Sequence, residues 1–176
     1  RDLPEPKEKM AILQDTIETL TGAGYQFIGM DHFALPEDEL AVAQREGILH
    51  RNFQGYTTQG EADLVGFGVS AISMVGDAYA QNQKELKKYY AQVNDLRHAL
   101  WKGVALDSDD LLRREVIKQL ICNFKLDKTM IESEFSVNFN RYFKEDLGLL
   151  QTFINDELVE VDDKEISVTL RGRLLI

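Results

Sequence analysis

From Asp107 to Phe124 the sequence carries a strong helical signal. Leu112, Val116, Ile117, Leu120, Ile121 and Phe124 recur at three- and four-residue steps, and Asp107 or Ser108 stands where a cap belongs. A stripe of this kind must be buried against other elements, so it places a packed core in the second half of the chain. A short helix around Met130 to Phe135 comes next. A further one runs from about Asn138 to Ile154, with Phe139, Tyr142, Phe143, Leu150 and Phe153 apolar. Leu158 to Val161 and Ile166 to Leu170 then flank a polar turn at Asp162, Asp163 and Lys164, the pattern of a β-hairpin. Three helices followed by a hairpin make a winged-helix-like arrangement. With a helix over Gln81 to Asp95, residues 81–176 are expected to form a mainly helical, winged-helix-like C-terminal domain.

The first 80 residues have a different rhythm. Pro6 opens a helix whose Met10, Leu13, Ile17 and Leu20 share a face, and Gly22 and Gly24 stop it. Tyr25 to Met30 is a short strand. Pro36 begins a second helix, with acids at Glu37, Asp38 and Glu39 in its first turn and Gly47 at its end. An irregular segment from His50 to Glu61 leads to a buried strand over Leu64 to Val69. Helix, strand, helix, loop and strand suggest βα units on a parallel sheet, an α/β class.

Several residues in this half could carry chemistry. Asp31 and His32 follow the first strand directly. At the C-terminal end of a parallel strand such a pair could bind a substrate or shuttle protons; the alternative is a His shaping a loop. In the loop Asn52 to Gly60, Phe53 offers a flat face to an adenine or a pyrrole, and Gln54 offers both a donor and an acceptor. The alternative there is an ordinary surface loop with a buried Phe. Gly66-x-Gly68-x-x-Ala71 imitates a dinucleotide fingerprint, but no second strand ending in an acid follows at the required spacing. Ile72 closes this stretch, and the plain reading of its side chain is core.

Gly29-Met30-Asp31-His32-Phe33-Ala34, Asn52-Phe53-Gln54-Gly55-Tyr56-Thr57-Thr58-Gln59-Gly60 and Gly66-Phe67-Gly68-Val69-Ser70-Ala71-Ile72-Ser73 together resemble the oxygen-independent coproporphyrinogen III oxidases, and the resemblance runs from about Leu3 to Ile176. These are radical S-adenosylmethionine enzymes of haem biosynthesis. The resemblance implies the last βα units of an incomplete parallel α/β barrel over residues 1–80, followed by the C-terminal domain. It implies oxidative decarboxylation of two propionates of coproporphyrinogen III, giving protoporphyrinogen IX. The implied cofactors are a [4Fe-4S] cluster and S-adenosylmethionine, with an electron donor as partner. A 5′-deoxyadenosyl radical would abstract a propionate hydrogen, and CO2 would leave as the vinyl group forms. Ile72, Phe53 and Gln54 become cofactor-binding residues by the same resemblance. A related homologue acting as a haem-binding or haem-transfer protein is the alternative function.

The family's cluster needs Cys-x3-Cys-x2-Cys, and this chain has one cysteine, Cys122, within the apolar helix. No metal ligands and no catalytic residues are therefore expected here. The expectation is the C-terminal part of a longer enzyme, inactive alone. A lone cysteine suits a reducing cytosol, and no apolar run is long enough for a bilayer span. The net charge of −10 argues against nucleic acid and anionic membranes as partners, and the hairpin tip carries Asp162 and Asp163 where a DNA-binding wing would need bases.

Overall fold

In the computed structural model, residues 3–176 are described. Helix α1 (Pro6–Gly22) begins at the proline, whose missing N–H costs nothing in a first turn. It leaves Leu13, Ile17 and Leu20 half-buried. Strands β1 (Gln26–Gly29) and β2 (His32–Ala34) follow as an antiparallel hairpin, with Met30 in the left-handed region at its turn. Helix α2 (Glu39–Arg45) starts three residues after Pro36, because the Asp38 side chain accepts the Leu40 N–H at 2.9 Å and so sets the cap. Strands β3 (His50–Asn52) and β4 (Gly55–Thr57) make a second hairpin.

Strands β5 (Ile72–Val75) and β6 (Ala78–Asn82) pair next. Helix α3 (Leu86–Leu96) follows, and β7 (Leu100–Ala105) returns to pair with β6, giving the order β5-β6-β7. The C-terminal part comprises α4 (Ser108–Asn123), β8 (Lys125–Asp127), α5 (Lys128–Phe135), α6 (Phe139–Tyr142), α7 (Lys144–Asn155), β9 (Val159–Val161) and β10 (Glu165–Val168). A single 3-10 turn, Gly172–Leu174, ends it, and its sheet has the order β8-β10-β9. Among the described residues no helix is long and apolar enough to cross a membrane.

The parallel βα units expected over residues 1–80 are not present among the described strands, whose pairings are all antiparallel. The reason is connection length. Turns of two residues join β1 to β2 and β3 to β4, and only antiparallel strands can be closed that tightly, since a parallel pair needs a long crossover. The strand expected over Leu64 to Val69 shrinks to one bridge, Leu64 with Met74. The helix expected from Gln81 begins at Leu86, because Ala78 to Asn82 is the central strand of a sheet. A domain boundary at residue 80 would cut through that strand. The helix expected from Asn138 to Ile154 is broken at Phe143, which leaves the helical region at ψ 24° and buries its ring against Phe139, centroids 4.7 Å apart.

Two cores meet on α4. Leu112 joins Leu126, Ile131, Phe139, Phe143 and Ile166 on the C-terminal side. Cys122 joins Ile28, Ala34, Ala41, Ala43 and Leu49 on the other. The N-terminus of α4 has a reciprocal cap between Asp107 and Asp110. Its last carbonyls lack intrahelical donors and are met from far along the chain. The Gln44 amide donates to the Cys122 carbonyl at 2.7 Å and to the Ile28 carbonyl at 2.6 Å. The Tyr56 hydroxyl reaches the Ile121 carbonyl at 3.4 Å. Gly29 makes room for Tyr56: its φ of +150° disfavours a side chain, and an added Cβ would lie 2.2 Å from the hydroxyl oxygen.

Gln44→Glu keeps the volume at this junction and removes both donated bonds at neutral pH. Urea unfolding at pH 7 is expected to show a loss of about 2–3 kcal/mol, the cost of orphaning two carbonyls. Only the protonated carboxyl can donate, so its folded-state pKa lies above the unfolded value. The deficit relative to wild type therefore grows as pH rises through that value and shrinks on acidification. A wild-type urea midpoint at pH 7 would refute the bridge.

Candidate functional site

Phe53 and Gln54 do not lie in an irregular loop. They are the two turn residues of the β3–β4 hairpin, closed by the Asn52–Gly55 pair, and the Asn52 Oδ1 accepts the Gln54 N–H at 2.8 Å. Both side chains are exposed, and Phe53, 50% exposed, is not the buried ring of the alternative reading. The Phe53 ring stands edge-on to Tyr79, with centroids 5.4 Å apart and planes at 90°.

Tyr79 connects the hairpin to Ile72. In the register of the sheet, Met74 opposes Tyr79 and Ile72 opposes Gln81. Directly opposed residues share a face, so Ile72, Met74, Tyr79 and Gln81 lie on one side of the sheet. The next strand continues both rows, Val104 opposite Tyr79 and Lys102 opposite Gln81. The fold thus brings Phe53, through Tyr79, to the sheet face that carries Ile72, from segments that are separate in sequence, while Gln54 is exposed beside Phe53 in the turn.

Gly66-x-Gly68 supports that face from behind and does not open a nucleotide-binding helix. The Gly66 N–H donates to Ser73 Oγ at 3.0 Å, and the Asn82 amide donates to the Gly66 and Gly68 carbonyls at 3.3 and 3.0 Å. A Cβ on Gly66 would sit 2.7 Å from the Ile72 carbonyl oxygen, so the close approach requires glycine there. Ile72 is half-buried.

Asp31 and His32 lie at the β1–β2 turn, which is not the end of a parallel strand. His32 Nδ1 is 2.8 Å from Asp31 Oδ1, but the pair is not aligned as a hydrogen bond, and Nδ1 is closed off from solvent. The His32 ring meets Tyr56 edge-on at 5.1 Å, and a Cβ on Gly55 would lie 3.3 Å from His32 Nε2. His32 therefore packs beneath the hairpin that carries Phe53 and Gln54. Burial raises the Tyr56 phenol above its ordinary pKa, and the neighbouring Arg51 pulls it partly back.

Sequence reasoning missed Tyr79, Asn82 and Gln44. Tyr79 and Gln81 alternate with Ala78 and Ala80, a period-two signal that marks the strand. Nothing in the sequence singles out Asn82 or Gln44, whose partners are remote carbonyls.

Among the described residues no three His, Cys, Asp or Glu side chains come together as metal ligands. Cys122 is fully buried, and burial pushes its thiol up to about 11. An iron–sulfur cluster therefore does not fit the residues of this chain. S-adenosylmethionine fits in part. Ile72, Met74, Tyr79 and Phe53 suit an adenine ring, whereas the two rows contain no carboxylate for its charged methionine end. An open depression of about 610 Å³ lies elsewhere, lined by Asn155, Asp156, Glu157, Leu158, Arg171 and Leu175.

Comparison with known proteins finds relatives along almost the whole chain. Residues 106–175 match the family described as HemN C-terminal domain. The oxygen-independent coproporphyrinogen III oxidase of Escherichia coli (strain K12) is 66% identical over 175 residues, which is 99% of this chain and 38% of that protein. The oxidase of the same name from Pseudomonas aeruginosa is 51% identical over the same shares. A solved structure titled "Coproporphyrinogen III oxidase (HemN) from Escherichia coli is a Radical SAM enzyme" superposes with a TM-score of 0.92 at 66% identity, covering 99% of this chain and 40% of that one. The chain thus spans well under half the length of these relatives.

The Cys122 thiol is expected to be nearly inert in the folded chain. Raising its pKa to about 11 lowers the thiolate fraction roughly 100-fold at pH 8 relative to an unperturbed thiol. Labelling with Ellman's reagent should be slower by at least that factor in buffer than in urea. Comparable rates in the two would show that the thiol is not buried.

Proposed function

We propose that this chain, which belongs to the oxygen-independent coproporphyrinogen III oxidase family as its C-terminal part, supplies the C-terminal share of an enzyme that decarboxylates coproporphyrinogen III. The observation that carries this is the match itself: 66% identity along 99% of the chain, confined to 38% of the relative. The reaction is oxidative decarboxylation of propionates to vinyl groups, giving protoporphyrinogen IX in the reducing cytoplasm. The cluster ligands belong to the part of the enzyme that precedes this chain, and an electron donor serves the whole. S-adenosylmethionine, when bound, supplies hydrogen abstraction from the propionate. The residues of this chain would flank it, Ile72 packing against adenine with Phe53 and Gln54 at the rim.

The proposed division of labour falls near residue 106. Residues before it carry the hairpins and the β5-β6-β7 sheet with the ligand-facing rows, and the family match begins there. Residues 106–175 form a winged-helix-like unit that covers and supports the first part. The supporting feature is its order of helix, strand, helices and hairpin, with β8 pairing to the second hairpin strand.

A hybrid tests this reading. The matched part of the Escherichia coli oxidase is replaced by this chain, and the hybrid is placed in a strain unable to carry out the step anaerobically. Growth without haem, and protoporphyrin formed from coproporphyrinogen III in extracts, are the expected results. A folded hybrid with its cluster loaded and no turnover would refute the proposal. Ile72→Asp in the same hybrid should raise the KM for S-adenosylmethionine by about tenfold or more, because a carboxylate beside adenine loses apolar contact and must be desolvated. A folded variant with unchanged KM would remove Ile72 from the site.

A further inference from the structure

Lys102 lies in the same cross-strand row as Ile72, with Gln81 between them. Two strand spacings separate its backbone from that of Ile72, about 10 Å. Strand β7 is the exposed edge of its sheet along its whole length. On it Trp101 is 48% exposed, and it gathers two ammonium groups. Lys102 Nζ stands 4.9 Å from the ring centroid, and Lys84 Nζ, from the segment after β6, stands 5.2 Å from it. Among the described residues neither lysine has a carboxylate within ion-pair distance, since nearby Glu85 is taken by Lys88. Between residues 84 and 102 there are five Lys or Arg against two acids, in a chain whose net charge is −10. Two unpaired cations converging on one aromatic ring, in an otherwise acidic protein, are suited to a flat ligand that bears carboxylates.

We propose that Lys84 and Lys102, gathered on Trp101 beside the face that carries Ile72, bind propionate carboxylates of coproporphyrinogen III. The proposal rests on the functional reading above and extends it to substrate recognition. Hydrogen abstraction needs a propionate close to the S-adenosylmethionine that Ile72 would flank. Lys102 on that row, and Lys84 drawn to it by the shared Trp101 ring, hold substrate carboxylates within reach of that position, and the Trp101 ring gives the pyrroles a flat neighbour. These residues set affinity and orientation and take no part in bond breaking.

Trp101 is the sole tryptophan of the chain and so reports directly on its own surroundings. Coproporphyrin III, the stable oxidised form of the substrate, is titrated into the chain while tryptophan fluorescence is followed. Saturable quenching that weakens with added salt is expected. The Lys84→Gln/Lys102→Gln variant should bind about tenfold or more weakly, and Lys84→Arg/Lys102→Arg close to wild type, with circular dichroism confirming that each is folded. In the hybrid oxidase the glutamine pair should raise the KM for coproporphyrinogen III by a similar factor while kcat changes less than about threefold. Lys144→Gln should leave both unchanged. Absent quenching, or equal affinity in wild type and the glutamine variant, overturns the proposal. So does an effect confined to the half-saturating concentration of an acidic protein reductant, which would make the patch a docking site for the electron donor. If the wild-type hybrid is inactive, the oxidase reading fails, and the titration still decides whether the lysines hold carboxylates.

Discussion

The C-terminal turn of α4 ends in carbonyls that its own helix cannot satisfy, and the architecture depends on how they are met. Gln44 donates to the Cys122 carbonyl from α2, and Tyr56 reaches the Ile121 carbonyl from β4. The same Gln44 amide holds the Ile28 carbonyl of β1, so one side chain fastens a hairpin and a helix from the first fifty residues to the end of a helix past residue 120. Phe124 caps α4 in the left-handed conformation and stacks on Phe27 at 6.2 Å. Buried carbonyls left without donors would cost about 1–3 kcal/mol each, enough to make this junction decisive in a marginally stable fold.

From that junction the candidate site follows by packing. Tyr56 fixes the β3–β4 hairpin against α4 and His32, and the fixed hairpin carries Phe53 at its turn. Phe53 meets Tyr79, and Tyr79 shares its sheet face with Ile72. Asn82 holds the glycine loop behind Ile72 by bonding two of its carbonyls. The rows of the proposed site therefore stand on antiparallel strands, with the edge strand β7 bringing Lys102 to the row that starts with Ile72.

The role proposed for the C-terminal unit is different. Its core closes around Leu112, Leu126, Ile131, Phe139, Phe143 and Ile166, and the family match begins just before α4. Helix α4 belongs to both cores, so neither part is independent of the other. Such sharing suits the proposed role of a support that sets the position of a site without lining it.

Periodicity in the sequence was sufficient to define α1, α4, α5 and the β9–β10 hairpin, because their spacing and capping residues are local. The motifs around Phe53, Gln54 and Ile72 were likewise legible as a resemblance, and the single cysteine determined that this chain cannot hold an iron–sulfur cluster. Strand direction was not legible. Short apolar runs separated by glycine and polar residues are compatible with βα units or with hairpins, and only the two-residue turns and the pairing register distinguish them. Tertiary structure alone decided that Phe53 and Ile72 share a face, that Gln44 serves the end of α4, and that Lys84 and Lys102 meet on Trp101. Each of these depends on which distant segments pack together, and no local pattern encodes that.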